Sequence, residues 1–251
     1  MAGILRVDQI QSTGGSNVID VSSGTFKIWN GSSYESFNVE GALKSINVYT
    51  SQNGTWNSKS TSGSSGTWSK PSGCSNVLVY VTGGGGGCRC NDNSYRGAGG
   101  GGGATAIRYI DVSNVGSVSY TYGGGGGYAR NGGRGGSGGT SSFGSYCTAT
   151  GGDGAYTDNP YEGGHGGNAS GGDINLPGGG GEMSHGTNRE GGGGGSFWHQ
   201  SGSNHHNSST NAENTHGQWG SGGGYGYYSQ NGHAHNNGNG GAGCVIVFNY
   251  T

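Results

Sequence analysis

Glycine triplets restrict what this chain can fold into more than any other feature of its sequence. The pattern Gly-Gly-X occurs three times in succession in residues 132–140, and residues 163–168 repeat it twice more. A three-residue period matches the threefold screw of an extended polyproline-II helix, which makes no internal hydrogen bonds. The N–H and C=O groups of such a helix therefore need partners on other segments. Because glycine has no Cβ, several of these helices can approach closely and bond laterally.

The amount of glycine favours a scaffold over a set of ordinary turns. Glycine supplies 65 of the 251 residues, whereas the chain has 3 prolines, which excludes a collagen triple helix. Ordering glycine costs roughly 0.5–1 kcal/mol per residue relative to alanine, so lateral hydrogen bonds must be dense. For the short tracts 83–87 and 123–127, both polyglycine-II helices and separate glycine-rich turns remain open.

Strand-like segments bracket the glycine tracts and predict an all-β fold with a β-sandwich-like core. Residues 76–82 alternate, with Val77, Val79 and Val81 on one face of the predicted strand. Residues 104–111, 117–122 and 244–250 continue this pattern. The two ends of the domain therefore form one core, and the glycine-rich part is inserted between them.

The chain divides into two predicted domains. Residues 1–42 contain short β-prone runs and a turn at Asn30-Gly31, but too few apolar residues to bury a core alone. We assign them to an N-terminal attachment and oligomerisation segment, and 43–251 to a glycine-rich adhesin domain. In that domain the β core comprises 43–122 and 244–251. Residues 123–243 form a loop-bearing insertion with polyglycine-II helices and long loops.

Charge and motif content argue against several classes of function. The net charge is −2, so nothing points to nucleic acid or anionic membranes as partners. The first residues lack the pattern of a signal peptide, and the five cysteines predict free thiols. Gly83 to Gly87 is followed by no Lys-Ser/Thr, and the acidic residues of the insertion show no paired spacing. We expect a non-enzymatic protein without a cofactor.

Histidines supply the one candidate metal site. His233 and His235 form an HxH pair, whose rings would point the same way in an extended segment. Three such pairs on a trimer axis could bind a transition metal, although two nitrogen donors per chain do not complete a site. The alternative is that these histidines are polar loop residues.

Candidate binding residues lie between the glycine tracts, chiefly in 196–219 and 225–239, and also in 88–96, 153–162 and 182–190. These segments are rich in aromatic, histidine and amide side chains, a composition typical of binding loops. Some of their rings will instead fill gaps in the scaffold. The candidates are Tyr95, Arg96, Tyr156, Tyr161, His185, Arg189, Trp198, His205, His206, Trp219, Tyr225, Tyr227 and Tyr228.

Four stretches together resemble the glycine-rich domain of bacteriophage tail fibre proteins. These are residues 66–87, which contain GTWSKP and VLVYVTGGGGG, and the shorter stretches TSSFG, GGDINLPG and GCVIVFNY at 140–144, 171–178 and 243–250. The start of the chain, 5–19, is similar to the virion-attachment end of fibre-like proteins of marine phages. Related adhesins pack polyglycine-II helices in layers and vary the intervening loops to choose a receptor.

The resemblance implies a virion tail fibre protein, made in the host cytoplasm, whose distal loops recognise a receptor on the bacterial surface. The expected partners are a glycan or an outer-membrane protein, other virion fibre or tail proteins, and further copies in a homotrimer. A capsid-surface fibre is a nearby alternative. A structural or ice-binding glycine-rich protein is an alternative of another class. It predicts regular Thr or small residues along one face and short plain turns, and the long aromatic loops of this insertion argue against it.

Overall fold

The computed structural model describes residues 9–11, 17–20, 27–29, 34–36, 41–52, 61–91, 96–130, 133–157, 162–183, 191–200, 216–227 and 235–251. The chain forms two compact units, Met1–Ala42 together with Thr251, and Leu43–Tyr250. In this described part the regular elements are β-strands, so the all-β prediction is confirmed. None of the described residues belongs to a helix long and apolar enough to cross a membrane.

The N-terminal unit is a small antiparallel sheet. Its strands follow chain order, β1 (Gln9–Gln11), β2 (Asn17–Asp20), β3 (Lys27–Trp29) and β4 (Tyr34–Ser36). The last residue of the chain joins this unit, because Gly41 N–H donates to the Thr251 carbonyl at 2.9 Å and Thr251 N–H donates to Ala42 at 3.1 Å. Strands of three or four residues bury little surface, in keeping with the sparse apolar content of this region.

The larger unit contains two antiparallel sheets of five strands each. The strands of these sheets are β5 (Leu43–Tyr49), β6 (Ser64–Ser69), β7 (Asn76–Thr82), β10 (Thr105–Asp111), β11 (Ser117–Tyr122), β12 (Ser141–Phe143), β13 (Cys147–Ala149), β14 (Ala169–Ser170), β15 (Ile174–Leu176) and β18 (Cys244–Tyr250). The first sheet has the order β15-β10-β7-β18-β5, and the second has the order β14-β13-β12-β11-β6. The remaining strands form two hairpins, β8 (Arg89–Asn91) with β9 (Arg96–Ala98), and β16 (Tyr225–Tyr227) with β17 (His235–Asn237).

Side chains from both sheets fill one core, which confirms the predicted sandwich. The alternating residues Val77, Val79 and Val81 point inward and are fully buried, as are Trp68 and Phe143 from the second sheet. The rings of Trp68 and Phe143 meet edge to face with centroids 5.9 Å apart. Trp68 also donates its indole Nε1–H to Asn249 Oδ1 at 3.1 Å, so the polar end of the largest core residue is satisfied.

The two outward faces of the sandwich differ in chemistry. Strand pairing places nine serines and threonines on the outside of the second sheet, and we call this the hydroxyl face: Ser65, Thr67, Ser69, Ser117, Ser119, Thr121, Ser142, Thr148 and Ser170. The outside of the first sheet carries two neighbouring rows of apolar and aromatic residues, and we call this the apolar face: Val48, Ile246, Tyr80, Ile107 and Ile174, then Ile46, Phe248, Leu78 and Tyr109.

Glycine tracts extend from the sandwich as a bundle held by backbone hydrogen bonds. Tract 83–88 is at its centre, and each successive N–H donates to a different neighbour, at N···O distances of 2.8–3.0 Å. Every third residue returns to the same neighbour: Gly83 and Gly86 bond to Ala104 and Gly101, Gly84 and Gly87 to Gly139 and Gly136, Gly85 and Cys88 to Gly241 and Gly238. This three-residue period is the bonding pattern expected of polyglycine-II helices.

Carbonyl groups complete the surroundings of the central tract. Gly84 and Gly87 accept from tract 150–155, Gly85 and Cys88 from tract 123–129, and Gly86 from tract 220–224. Six tracts therefore surround 83–88, three as acceptors and three as donors, which is hexagonal packing. Tracts 83–87 and 123–127 thus belong to the bundle, which settles the alternative of separate turns that their sequence left open.

A second tract, 99–104, is surrounded in the same way. It bonds to 83–88, 150–155, 162–168, 178–182, 191–195 and 220–224. Two adjacent centres that share two of their neighbours account for ten tracts among the described residues: 83–88, 99–104, 123–129, 133–139, 150–155, 162–168, 178–182, 191–195, 220–224 and 238–243. Close packing is possible because a Cβ on most of these glycines would overlap a carbonyl of the adjacent tract.

Successive tracts run in opposite directions, so the bundle has two distinct ends. Hydrogen-bond register shows 83–88 antiparallel to 99–104 and parallel to 123–129 and 150–155, and the alternation continues along the chain. At one end, the sandwich end, β7, β11, β13 and β15 lead into tracts, and β10, β12, β14 and β18 follow tracts. We call the opposite end the distal end.

The sheets also draw on a region that sequence reasoning assigned to the insertion. Strands β12, β13, β14 and β15 lie between residues 141 and 176 and complete the edges of both sheets. They have two or three residues each, too short for an alternating pattern to be visible. Their place is set by the tracts that deliver them back to the sandwich end.

Candidate functional site at the distal end of the glycine bundle

Five connections join the tracts at the distal end. They are 89–98, 130–132, 156–161, 183–190 and 225–237, and two of them carry the hairpins β8/β9 and β16/β17. The hairpins lie next to each other, with β9 near β16 and β8 near β17. Buried Arg89 fixes the start of β8 to the connection 156–161, since its Nη1 donates to the Tyr156 carbonyl at 2.9 Å.

Three neighbouring tracts present polar side chains beside the distal end, a group that we call the polar flank: Arg134, Ser137, Asp153, Tyr156, Glu162 and His165. The Tyr156 hydroxyl donates to Asp153 Oδ2 at 2.6 Å. The Arg134 guanidinium lies over the Tyr156 ring, 4.4 Å from its centroid, and 3.8 Å from Asp153 Oδ1. The edge of this cluster is completed by His165, whose ring meets Tyr156 at a centroid distance of 5.2 Å.

Electrostatics in the polar flank are those of an exposed, hydrogen-bonded surface. The hydrogen bond from its hydroxyl to the Asp153 carboxylate raises the pKa of Tyr156 above its ordinary value. His165 lies 3.7 Å from Glu162, and this contact becomes an ion pair when the histidine is protonated. Such exposed pairs add little stability. A ring stacked under a guanidinium and bordered by carboxylates can hydrogen-bond and stack on a polar ligand.

Several of the predicted site residues lie at the distal end. Arg96 is in β9, Tyr225 and Tyr227 are in β16, and His235 is in β17; the structure gives their backbone positions. Tyr156 is half-buried in the polar flank. The other distal candidates fall outside the described residues, namely Tyr95, Tyr161, His185, Arg189, Tyr228 and His233.

Two predicted tryptophans lie at the sandwich end instead. Trp198 donates its Nε1–H to Thr82 Oγ1 at 3.0 Å, and its ring packs 5.3 Å from that of Tyr80 on the apolar face. Trp219 has a positive φ of 49°, and its carbonyl accepts a 2.6 Å hydrogen bond from Ser196 Oγ. Segment 196–219 therefore begins and ends beside the sandwich; its His205 and His206 lie outside the described residues.

Four cysteines whose side chains the structure describes are free and buried. They are Cys74, Cys88, Cys147 and Cys244. Burial raises the pKa of the Cys88 and Cys244 thiols to about 12 and that of Cys147 to about 11, which disfavours the reactive thiolate. No group of three or more metal-ligating side chains occurs among the residues for which side chains are given. The proposed His233–His235 pair is not among them.

Sequence reasoning missed most of the polar flank, although a signal for it was present. It found no paired spacing among the acidic residues of the insertion, which include Asp153 and Glu162. Arg134 and Ser137, Asp153 and Tyr156, and Glu162 and His165 are each three residues apart. On a threefold extended helix that spacing puts both side chains on one side. The period of the glycine tracts therefore also determines which of their few side chains meet.

Comparison with known proteins relates the chain to one family. No curated protein matches the chain significantly. A family profile described as a glycine-rich domain matches residues 58–249. The match begins before β6 and ends within β18, so it covers nearly all of both sheets and every tract of the bundle. It spans well over half of the 251 residues, and the chain therefore belongs to the glycine-rich domain family.

Proposed function

We propose that this protein is a virion fibre protein of a bacteriophage, and that the distal end of its glycine bundle binds a receptor on the host cell. The observation that carries the proposal is the separation of the larger unit into two ends. Strands that build the sandwich occupy one end, and the tracts enter and leave five connections at the other. Recognition commonly lies on loops held by a rigid scaffold.

Bonding within the bundle supports this assignment. The distal connections start and end on tracts whose backbone groups are bonded to neighbouring tracts, so their ends are held in place. Their loops can differ in sequence without disturbing a scaffold that depends on backbone hydrogen bonds. The resemblance of 66–87 and 243–250 to tail fibre proteins points to the same use.

The position of segment 196–219 changes the weight given to the candidate loops. Sequence reasoning placed it first among the binding segments, but its two ends are at the sandwich end. We therefore favour the distal connections 89–98, 156–161, 183–190 and 225–237, with the polar flank as an adjoining surface. The proposed ligand is a surface glycan or an exposed loop of an outer-membrane protein, and the proposed assembly is a homotrimer attached to other fibre or tail proteins.

A pair of matched loop replacements tests the proposal. In one variant a Gly/Ser segment of equal length replaces residues 228–234 at the distal end, and in the other it replaces residues 201–215 in the segment anchored at the sandwich end. Both purified proteins are compared with the unchanged chain for binding to whole cells of the host bacterium, after circular dichroism and thermal melting have established folding.

We expect the distal replacement to weaken cell binding at least tenfold and the 201–215 replacement to leave it unchanged. The opposite result would move the binding surface to the sandwich end. A third variant is altered in residues 92–95. If all three variants bind cells as well as the unchanged chain does, the basis for receptor recognition at the distal end is removed.

One observation favours a second candidate, a glycine-rich protein that binds ice. The hydroxyl face is an array of nine Ser and Thr side chains with no apolar or charged residue between them in the paired rows. A regular row of small hydroxyl side chains is what that function predicts. Thermal hysteresis of the purified protein tests it: a freezing point lowered below the melting point, and restored by Thr67→Lys and Thr121→Lys, would favour ice binding over receptor recognition.

A further inference from the structure

The apolar face of the first sheet has no counterpart elsewhere on the sandwich. Antiparallel sheets commonly have one apolar and one polar face, and the second sheet follows this rule with its hydroxyl face. The first sheet does not, because two full rows of its outward side chains are apolar or aromatic in every strand that contributes to them. A sheet that is apolar on both sides is typical of one that is covered on both sides.

The chain itself covers one part of this face. The rings of Phe197 and Trp198 pack on Tyr80, at centroid distances of 5.9 and 5.3 Å. Phe197 is itself 48% exposed, so it extends the apolar surface rather than closing it. Residues 201–215, which follow, have Ala212 as their sole apolar residue. That segment lacks the side chains that could cover the rest of the face.

The exposed remainder is large enough for a subunit contact. Ile46 and Val48 at one edge are 49% and 51% exposed, and Tyr109 and Ile174 towards the other edge are 55% and 53% exposed. With Leu43 and Phe197 these side chains leave roughly 600 Å² open, at the upper end of the largest apolar patch on a typical monomer. The half-buried residues between them bring the surface towards the roughly 800 Å² per partner of a standard interface.

Charge points to the kind of partner. The two apolar rows contain no ionisable acid or base other than tyrosine hydroxyls, so two such faces can meet without burying an unpaired charge. Interfaces between permanent subunits are more apolar than those between transient partners, and charged residues are rare in their cores. A second copy of this chain therefore fits the face without requiring a complementary charge pattern.

We propose that the apolar face packs against another copy of this chain and forms the contact between subunits of the assembled fibre. This contact rests on the homotrimer of the proposed function and requires no particular receptor. In such an assembly the sandwich ends associate through their first sheets, while the hydroxyl faces remain in solvent. Each subunit then contributes one distal end.

Two matched double variants on the edge strands test this contact in the full-length chain. Ile46→Glu with Val48→Glu places two charges on the apolar face from β5, and Ser65→Glu with Thr67→Glu places two charges on the hydroxyl face from β6. Sedimentation velocity across a concentration series measures the mass of each variant and of the unchanged protein. Near-ultraviolet circular dichroism of the core aromatics shows whether the fold is retained.

We expect the unchanged protein and the hydroxyl-face variant to be multimers, and the apolar-face variant to associate at least tenfold more weakly. A monomeric unchanged protein, or a folded apolar-face variant of undiminished mass, would overturn the proposal. Should that variant fail to fold, Tyr109→Lys on β10 takes its place, with the same two outcomes. Cell binding is measured separately. If the apolar-face variant loses the subunit contact but each subunit still binds host cells, both proposals are supported. If the unchanged protein is a multimer that binds no host cell, this contact is supported and receptor recognition is contradicted.

Discussion

The glycine bundle and the sandwich are both buried, yet different interactions hold them together. Inside the sandwich, side chains such as Trp68, Phe143 and Val79 fill space, and the strands are paired by backbone hydrogen bonds within each sheet. Inside the bundle, tract 83–88 contributes almost no side-chain volume, and its backbone groups bond to six neighbours. The sandwich therefore depends on matched volumes, whereas the bundle depends on the absence of volume and on complete backbone bonding.

This difference predicts opposite responses to small changes. A side-chain core can relax around the loss of a few methyl groups, at a cost that depends on the cavity left behind. A backbone lattice has no side chains to rearrange, so one added methyl group displaces a neighbouring tract. Substitutions in the two interiors, and on the two faces of one strand, test whether the bundle and the sandwich respond differently.

The largest effect is expected from Gly85→Ala at the centre of the bundle. A Cβ at Gly85 would overlap the Ser221 carbonyl, and no flexible side chain is there to move away. We expect a loss of more than about 5 kcal/mol of stability, enough to prevent folding of the bundle. Urea unfolding followed by circular dichroism measures it.

Gly127→Ala is the matched control in the neighbouring tract 123–129. Nothing lies within 4 Å of a Cβ at Gly127. Its replacement should leave stability unchanged or raise it by about 0.4–1 kcal/mol, because alanine loses less backbone entropy on folding. Similar effects at Gly85 and Gly127 would show that the bundle is not close-packed in solution.

Trp68→Ala is the corresponding test in the sandwich. The residue is fully buried and has the largest side chain in the core. We expect a loss of about 3–5 kcal/mol, from lost burial and the cavity that remains. The protein should still fold at low temperature, with a lower Tm in a thermal melt. Trp68→Phe keeps most of the side-chain volume and should reduce stability by less than half as much as Trp68→Ala. An equal loss of stability in the two variants would attribute the effect to the indole hydrogen bond.

Asn249→Leu should have an intermediate effect on the same core. Asn249 accepts the Trp68 indole N–H at 3.1 Å and donates to Ser45 and Asn47 on the adjacent strand. Its loss leaves the buried indole N–H without this acceptor, which costs about 1–3 kcal/mol. Ser45→Ala serves as the control and should cost under 1 kcal/mol. Chemical unfolding monitored by tryptophan fluorescence distinguishes the two.

The smallest effect is expected on the hydroxyl face. Ser119 points into solvent from β11, whereas Val118 next to it is 7% exposed and belongs to the core. Ser119→Ala should change stability by less than about 0.5 kcal/mol, and Val118→Ala should reduce it by about 2 kcal/mol. Equal Tm shifts for the pair would contradict the assignment of inner and outer faces.

Prediction from sequence succeeded where a short repeat implies a unique geometry. Alternation in 76–82 placed Val77, Val79 and Val81 on one buried face, and the Gly-Gly-X period gave the lateral bonding of the tracts. It failed to recognise strands of two or three residues such as β14 and β15, because they contain too few positions to show a period. It also could not assign Trp198 to the sandwich end, because that depends on the direction in which tract 191–195 runs.

Strands and glycine tracts could be predicted along this chain because they depend on local spacing and on which residues carry a Cβ. Which tracts are central, which loops share an end and which sheet face stays apolar depend on the tertiary structure. These outcomes come from hydrogen bonds and strand pairs between residues far apart in the chain, such as Gly85 with Gly241 and Val247 with Val79. The sequence of a tract is the same whichever neighbouring tract bonds to its backbone groups. The arrangement of neighbours is therefore settled only when the whole bundle has formed.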